Sequence, residues 1–157
     1  MANQASGLAS DFVVRSLAET EELAGRIAPS LRKGDTIVLN GDLGAGKTTF
    51  VRAILRAAGV REEVPSPSFT LVQEYEANGC RFTHCDLYRI ESPQELDEMG
   101  IEDATADGVV LIEWPERGGS RIPSGALNIH IDILGENERR IRLSGSPRWS
   151  DVIGERT

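Results

Sequence analysis

A phosphate-binding motif lies in the first third of the chain. Residues 41–48 satisfy the pattern G-x-x-x-x-G-K-[ST] in full. Glycines in such a loop let backbone N–H groups turn inward around phosphate oxygens, and the start of the following helix adds partial positive charge. Lys47 would reach the β- and γ-phosphates, and the Thr48 hydroxyl would bind Mg²⁺. The predicted nucleotide-binding residues are Leu43, Gly44, Ala45, Gly46, Lys47, Thr48 and Thr49.

Two acidic residues are candidates for the metal side of this site. Glu113 ends the apolar run 109–112, a pattern typical of a central strand, and Asp86 lies in an alternating strand. P-loop proteins hold Mg²⁺ with an acid at the end of a neighbouring strand. We predict Thr48 and Glu113 as metal ligands, directly or through water, and Lys47, Asp86 and Glu113 as catalytic residues. Which acid binds the metal directly stays open.

Three further features near the motif have two interpretations each. The loop 66–70 either senses the γ-phosphate through the hydroxyls of Ser68 and Thr70 or is a rigid proline-containing connector. Trp114 follows Glu113 and either packs in the core or contacts a nucleotide or partner. His84 is close to Asp86 along the chain and could hydrogen-bond to it, and we assign it no catalytic role.

The elements that must position these residues can be predicted from the hydrophobic pattern. A strand at 36–40 precedes the motif, and a helix with one apolar face follows it and ends at Gly59. Upstream, a short strand at 12–14 leads to a helix that begins after an N-cap at Ser16 and runs to about Arg32. Pro29 should kink or loosen its last turn.

Two hairpins are predicted in the second half of the chain. The Asn78-Gly79 turn fixes a register in which paired residue numbers sum to 157, so that Leu71 faces Asp86 and Ser68 faces Arg89. Strands near 127–134 and 139–143 flank the second turn. Between the hairpins, a capping box at 92–95 predicts a short helix ending near residue 100. The fold class is therefore α/β, a P-loop NTPase-like three-layer domain with a mixed β-sheet containing two hairpins.

Composition limits the function classes. The 157 residues suit one domain, predicted over 1–144, and the segment 145–157 shows no pattern and is expected to be a disordered tail. A net charge of −8 argues against direct coating of nucleic acid.

Residues 91–107 contain seven acidic residues and no basic residue, and they form either a solvated face or a docking surface for a basic partner. Two cysteines and the lack of a signal-peptide or membrane-span pattern predict a cytoplasmic protein.

The combined motifs resemble one family. The segments GDLGAGKTTF (41–50), SPSFTL (66–71), DLYR (86–89), EL with MG (95–100) and IEWPER (112–117) occur in the order and spacing of the bacterial TsaE (YjeE-type) ATPases. The resemblance covers about residues 12–143. It implies a small P-loop ATPase that uses ATP and Mg²⁺ and acts in threonylcarbamoyladenosine modification of tRNA beside the anticodon. One departure is Ser68, where the family usually has threonine.

The resemblance also implies partners and roles. The family acts with the TsaB and TsaD proteins, reaches tRNA only through that complex, and supports its turnover rather than transferring the threonylcarbamoyl group. Residues matching Asp86 and Glu113 belong to the ATP–Mg²⁺ site, and the lysine matching Lys47 contacts phosphate. Two alternatives remain: a nucleotide-dependent interaction switch with negligible hydrolysis, and a small P-loop kinase. The acidic character of residues 91–107, where an arginine-rich lid would lie, disfavours the kinase.

Overall fold

The computed structural model describes residues 7–65 and 72–154. The strands are β1 (Leu8–Val14), β2 (Thr36–Gly41), β3 (Val72–Ala77), β4 (Cys80–Asp86), β5 (Gly108–Glu113), β6 (Leu127–Ile133) and β7 (Arg139–Gly145). The α-helices are α1 (Leu17–Ile27), α2 (Lys47–Ala58), α3 (Glu95–Glu98), α4 (Ile101–Asp107) and α5 (Ser150–Ile153). Short 3₁₀ segments cover Ala28–Ser30, Pro115–Arg121 and Pro147–Trp149. None of the helices in the described ranges is long and apolar enough to cross a membrane.

The strands form one mixed sheet in the order β1-β7-β6-β2-β5-β4-β3. Strand β2 pairs in parallel with both β5 and β6, and β4 pairs in parallel with β5. The two hairpins, β3–β4 and β6–β7, are antiparallel, as is β1 with β7. The predicted mixed sheet with two hairpins is confirmed. Parallel pairing brings the ends of β2, β4 and β5 to the same edge of the sheet.

Helices cover the sheet on both faces. On one face, α1, α2 and α5 bury a large apolar cluster that includes Leu39 and Leu111 of the sheet. On the other face, Leu96 and Ile101 of α3 and α4 pack with Val110 in a second cluster. Strand β5 is buried along its whole length because both of its faces are covered. The run 109–112 therefore forms an interior strand covered on both faces, as predicted.

The first hairpin has the predicted register wherever its residues are described. Ala77 pairs with Cys80, Tyr75 with Phe82, and Val72 with Cys85. Asn78 adopts a left-handed conformation with φ 54°, as a two-residue Asn-Gly turn requires. The predicted pairs Leu71–Asp86 and Ser68–Arg89, like the loop 66–70, lie outside the described residues.

Two helix predictions need correction. The first helix ends at Ile27, five residues before the predicted end, because Pro29 cannot continue the α-helix and lies in the 3₁₀ turn Ala28–Ser30 that follows. Its N-cap is confirmed, since Ser16 Oγ accepts a hydrogen bond from Glu19 N at 3.1 Å. The predicted short helix before Gly100 is only Glu95–Glu98. Gly100 then starts a further helix, α4, that was not predicted.

The expected disordered tail is wrong for the part that the structure describes. Strand β7 continues to Gly145, and a 3₁₀ turn and α5 follow it. Trp149 is 1% exposed and donates from Nε1 to Gly125 O at 2.9 Å. Arg148 forms an ion pair with Asp35 at 2.6 Å. This segment has no amphipathic repeat because a few large apolar side chains, rather than a periodic stripe, attach it to the core.

Candidate functional site

The P-loop connects β2 to α2 through glycines in conformations that other residues rarely adopt. Gly44 has φ 84° and Gly46 has φ 107°, and Gly46 is the N-cap of α2. Gly41, with φ 151°, passes so close to β6 that a Cβ atom would lie 2.7 Å from Ile131 O. The glycines therefore allow the tight turn that leaves the backbone N–H groups at the start of α2 open to a ligand.

Lys47 is held inside the protein at the start of α2. Its side chain is 5% exposed, and Nζ donates to the carbonyl oxygens of Gly41 and Asp42. Nζ also lies 3.6 Å from the centroid of the Trp114 ring. Burial lowers the pKa of Lys47, and the negative charge of Glu113 opposes that shift. Trp114 also packs against the second apolar cluster and lies 4.9 Å from the Tyr88 ring, so the packing interpretation is confirmed, and contact with a nucleotide or partner stays a prediction.

Glu113 connects the P-loop helix to a buried histidine. Its Oε2 accepts a hydrogen bond from Thr48 Oγ1 at 2.8 Å and lies 2.7 Å from His84 Nε2. His84 is completely buried, Glu113 is 3% exposed, and His84 Nδ1 has no hydrogen-bond partner among the described residues. Thr48 and Glu113, the two predicted metal ligands, are therefore in direct contact, and their binding of a metal stays a prediction. His84 contacts Glu113, whereas its proximity along the chain suggested Asp86.

Asp86 lies beside Glu113 because β4 and β5 pair in parallel. The two acids are register partners at the ends of their strands, so their side chains lie on the same face of the sheet. Asp86 is 7% exposed, and Oδ1 accepts from Tyr88 N at 2.9 Å. Burial raises the pKa of Asp86, the Tyr88 N–H lowers it, and the charge of Glu113 raises it further. Two buried carboxylates and one lysine therefore converge at the start of α2.

These donors suit a hard divalent cation that arrives with phosphate. Thr48, Glu113 and Asp86 offer hydroxyl and carboxylate oxygens, the ligands that Mg²⁺ prefers. Within the described residues, no group of three or more His, Cys, Asp or Glu side chains is placed to hold a metal by itself. The oxygen set is therefore a partial site that phosphate oxygens and water would complete.

A cleft of about 410 Å³ extends from the P-loop toward the start of α1. Gly46 and Thr49 line its end at the P-loop, and Val14, Phe50 and Ile131 supply apolar walls. The other described residues around it are Arg15, Ser16, Leu17, Thr20, Ala45, Glu136, Asn137, Arg139 and Ile141. Its size and mixed lining are typical of a small-molecule pocket.

Not every predicted site residue has its side chain directed toward the P-loop and the cleft. Leu43 is 74% exposed, so it offers only its backbone to a ligand in the loop. Sequence reasoning missed Arg139, which donates from Nε to Ala45 O at 3.0 Å and lines the cleft. An arginine at the start of a hairpin strand gives no signal of such a role, because the contact depends on β6 lying next to β2.

Comparisons with known proteins agree with this fold. The family model described as "Threonylcarbamoyl adenosine biosynthesis protein TsaE" matches residues 14–141. A crystal structure of YdiB from Bacillus subtilis superposes with a TM-score of 0.78 at 28% sequence identity, covering 93% of this chain and 92% of that one.

Several relatives carry the name "tRNA threonylcarbamoyladenosine biosynthesis protein TsaE". The protein from Rickettsia felis is 38% identical over 143 residues, covering 90% of this chain and 84% of the relative. The protein from Haemophilus influenzae is 44% identical over 112 residues, covering 71% of this chain and 70% of the relative. The protein from Bacillus subtilis is 36% identical over 138 residues, covering 87% of this chain and 86% of the relative. With its P-loop and paired acids in the matched region, this chain belongs to the TsaE family.

Proposed function

We propose that this protein binds ATP with Mg²⁺ and hydrolyses ATP as a subunit required for threonylcarbamoyladenosine modification of tRNA. The observation that carries the proposal is the hydrogen bond between Thr48 Oγ1 and Glu113 Oε2. It places a hydroxyl and a buried carboxylate together at the N-terminus of the P-loop helix, beside Lys47. That is the arrangement with which P-loop enzymes hold a metal and polarise a triphosphate.

Each residue of the site has a distinct task in this proposal. The backbone N–H groups of the loop 43–49 hold the phosphate oxygens, and Lys47 turns from Trp114 to the β- and γ-phosphates. Thr48 and Glu113 would bind Mg²⁺, which supplies positive charge against the charge that develops on phosphate during transfer. Asp86 would orient water at the metal or at the γ-phosphate. Val14, Phe50 and Ile131 would surround the adenine in the cleft.

The partners follow from charge and family membership. A net charge of −8 disfavours direct contact with the tRNA backbone, so the ATPase would act through the TsaB and TsaD proteins, in the cytoplasm. The relatives named above are biosynthesis proteins for the same tRNA modification. In this proposal the ATP cycle supports turnover of the complex, and the threonylcarbamoyl transfer takes place on a partner.

The test is phosphate release from ATP by the purified chain, with and without TsaB and TsaD. We expect weak release alone, stimulation by the partners, and loss of release in excess EDTA. Lys47→Ala should abolish productive binding or turnover. Lys33→Ala is the matched control, because Lys33 is exposed and is the only other lysine in the sequence. An unchanged rate in Lys47→Ala would contradict the phosphate-site assignment.

One observation favours a nucleotide-dependent interaction switch as the second candidate. Glu113 Oε2 already has two hydrogen-bond partners, and Asp86 Oδ1 accepts from a backbone N–H. Each acid therefore has one oxygen committed to a protein contact, and both belong to the proposed metal site, so neither is a general base separate from that site. A switch would bind ATP and change its affinity for the partners without phosphate release above background. ATP-dependent partner binding with no phosphate release would select this function.

A further inference from the structure

His84 is a completely buried histidine of β4 with only one of its two ring nitrogens in contact with a partner. Its Nε2 lies 2.7 Å from Glu113 Oε2 on the neighbouring strand β5. Leu111 is the register partner of His84, and Glu113 is two positions further along β5. Because residues two apart on a strand share a face, the parallel pairing of β4 with β5 brings the imidazole and the carboxylate together.

The partners of the two ring nitrogens indicate where the imidazole carries its proton. A carboxylate can only accept hydrogen bonds, and Glu113 Oε2 already accepts from Thr48 Oγ1 at 2.8 Å. His84 Nε2 is therefore placed to donate to the same oxygen. His84 Nδ1 is buried and has no partner among the described residues. Since an unpaired N–H group is rarer in protein interiors than an unpaired acceptor, the arrangement favours a proton on Nε2 and a lone pair on Nδ1.

The two carboxylate oxygens of Glu113 have different surroundings. Oε2 contacts Thr48 and His84, whereas Oε1 has no hydrogen-bond donor among the described residues. Oε1 is also absent from the buried side-chain atoms without a partner in those residues, so it is accessible. The last torsion of a glutamate is broad and roughly two-fold, so a free carboxylate exchanges its two oxygens easily. Two donors on Oε2 oppose that exchange and leave Oε1 as the oxygen open to a ligand.

We propose that His84 is a positioning residue for Mg²⁺ binding and acts through Glu113. In this proposal His84 Nε2 donates to Glu113 Oε2, which keeps the second carboxylate oxygen available to the metal. Because Thr48 donates its proton to the same carboxylate, its hydroxyl keeps lone pairs for the metal. The inference rests on the proposed function, because it needs Mg²⁺ to bind at Thr48 and Glu113. It deepens that function by assigning part of the metal affinity to a buried side chain that is not itself a metal ligand.

The first experiment locates the imidazole proton in the parent chain without any ligand. The sequence contains two histidines, so a sample labelled with ¹⁵N-histidine gives two ring systems in a long-range ¹H–¹⁵N correlation spectrum. His130→Gln assigns them by removing the exposed ring. At neutral pH we expect the His84 ring to carry its proton on Nε2, with Nδ1 unprotonated. A proton on Nδ1 of His84 would overturn the inference.

The same labelled parent chain reports whether the imidazole responds to the metal. Mg²⁺ added to the ADP-bound protein should shift the Nε2–H resonance of His84, because a metal on the shared carboxylate weakens that group as a hydrogen-bond acceptor. The ring of His130, which is exposed on β6, should keep its position and serves as the internal control. A His84 resonance that is identical with and without Mg²⁺ would contradict the inference, and no variant has to fold for this measurement.

The second experiment compares variants by calorimetric titration of ADP at a series of Mg²⁺ concentrations. His84→Leu keeps a similar bulk but removes the donor, so the Mg²⁺ concentration for half of the affinity gain should rise about tenfold, the scale of one charge-assisted hydrogen bond. ADP affinity in excess EDTA should stay within about twofold of the parent. His84→Gln has an amide N–H that can replace Nε2, and it should recover the Mg²⁺ requirement to within about threefold.

Thr83→Val is the matched control for disturbing β4. Thr83 precedes His84, is 2% exposed, and has a hydroxyl without a partner among the described residues, but its side chain lies on the opposite face of the sheet. Its Mg²⁺ requirement should equal that of the parent. Equal effects of His84→Leu and Thr83→Val, no recovery in His84→Gln, or no effect of His84→Leu would overturn the inference. A parent chain whose ADP affinity does not depend on Mg²⁺ would contradict the proposed function, and the inference with it, even if Nε2 carries the proton.

Discussion

The Thr48 hydroxyl and the Glu113 carboxylate are 65 positions apart in the chain and 2.8 Å apart in the fold. The contact joins the first turn of the P-loop helix to the end of the central strand. Because His84 Nε2 also lies 2.7 Å from the same oxygen, the Glu113 carboxylate has two side-chain partners that fix its position in the ligand-free fold. If a metal and a nucleotide bind as proposed, this preorganised carboxylate would lose little freedom on binding.

Glu113→Gln should weaken Mg²⁺-dependent nucleotide affinity and turnover together. Glutamine keeps the shape but removes the charge that would face the metal, and one such electrostatic contact accounts for about 10²–10³ in rate. Nucleotide titrations with and without Mg²⁺, beside phosphate-release assays, measure both effects. If affinity keeps its full Mg²⁺ dependence in Glu113→Gln but loses it in Asp86→Asn, the two acids have the opposite roles.

Asp86→Asn should cut turnover, or its stimulation by partners, more than it cuts affinity, and it should stabilise the ligand-free protein. Burial raises the pKa of Asp86 above its ordinary value of 3.8. The folded protein therefore binds this proton more tightly than the unfolded chain, and stability falls as pH rises from 3.8 through the raised value. Asparagine avoids that loss at pH 7.

Thermal unfolding at several pH values tests the Asp86 prediction. We expect the melting temperature of Asp86→Asn to exceed that of the parent by about 2–4 °C at pH 7, the shift that ~1 kcal/mol gives in a chain of this size. The difference should shrink as pH approaches 4. A variant that is less stable than the parent at pH 7 would show that Asp86 is held as a favourable charge, chiefly by the Tyr88 N–H.

Trp114→Leu should raise the affinity of the protein for inorganic triphosphate by about two- to tenfold. The ring lies 3.6 Å from Lys47 Nζ and stabilises the ligand-free position of the ammonium group, a contact worth about 0.5–2 kcal/mol. A phosphate must draw Lys47 away from that contact. Calorimetric titration of triphosphate checks the direction. A marked loss of affinity would show instead that the indole contacts the ligand or shapes the loop.

Trp149→Ala should destabilise the whole domain by about 3–5 kcal/mol. The side chain is 1% exposed in the main core cluster and donates to Gly125 O, so its removal leaves both a cavity and an unpaired carbonyl. Urea unfolding followed by circular dichroism measures the loss. Trp149→Phe should recover most of the packing. A chain unaffected by Trp149→Ala would mean that the segment after β7 does not dock on the core.

Features that depend on residues close together along the chain could be predicted from the sequence. The P-loop could be predicted because glycines, lysine and threonine must follow one another to wrap a phosphate. The hairpin register from Ala77–Cys80 to Val72–Cys85 could be predicted because a two-residue turn fixes it. The run 109–112 indicated a central strand because covering on both faces leaves no polar position. Glu113 could be singled out as a candidate site residue because it is the acidic residue at the end of that run.

Contacts between distant segments required the tertiary structure. His84 meets Glu113 rather than Asp86 because β4 lies beside β5 in parallel register, which no local pattern encodes. Arg139 reaches Ala45 only because β6 pairs with β2 and brings the second hairpin beside the P-loop. Trp149 anchors the C-terminal segment through its own bulk, without any periodicity to reveal it. The sequence by itself determined which groups are available for phosphate chemistry. The order of the strands decided which of them meet, because that order brings together side chains that lie far apart along the chain.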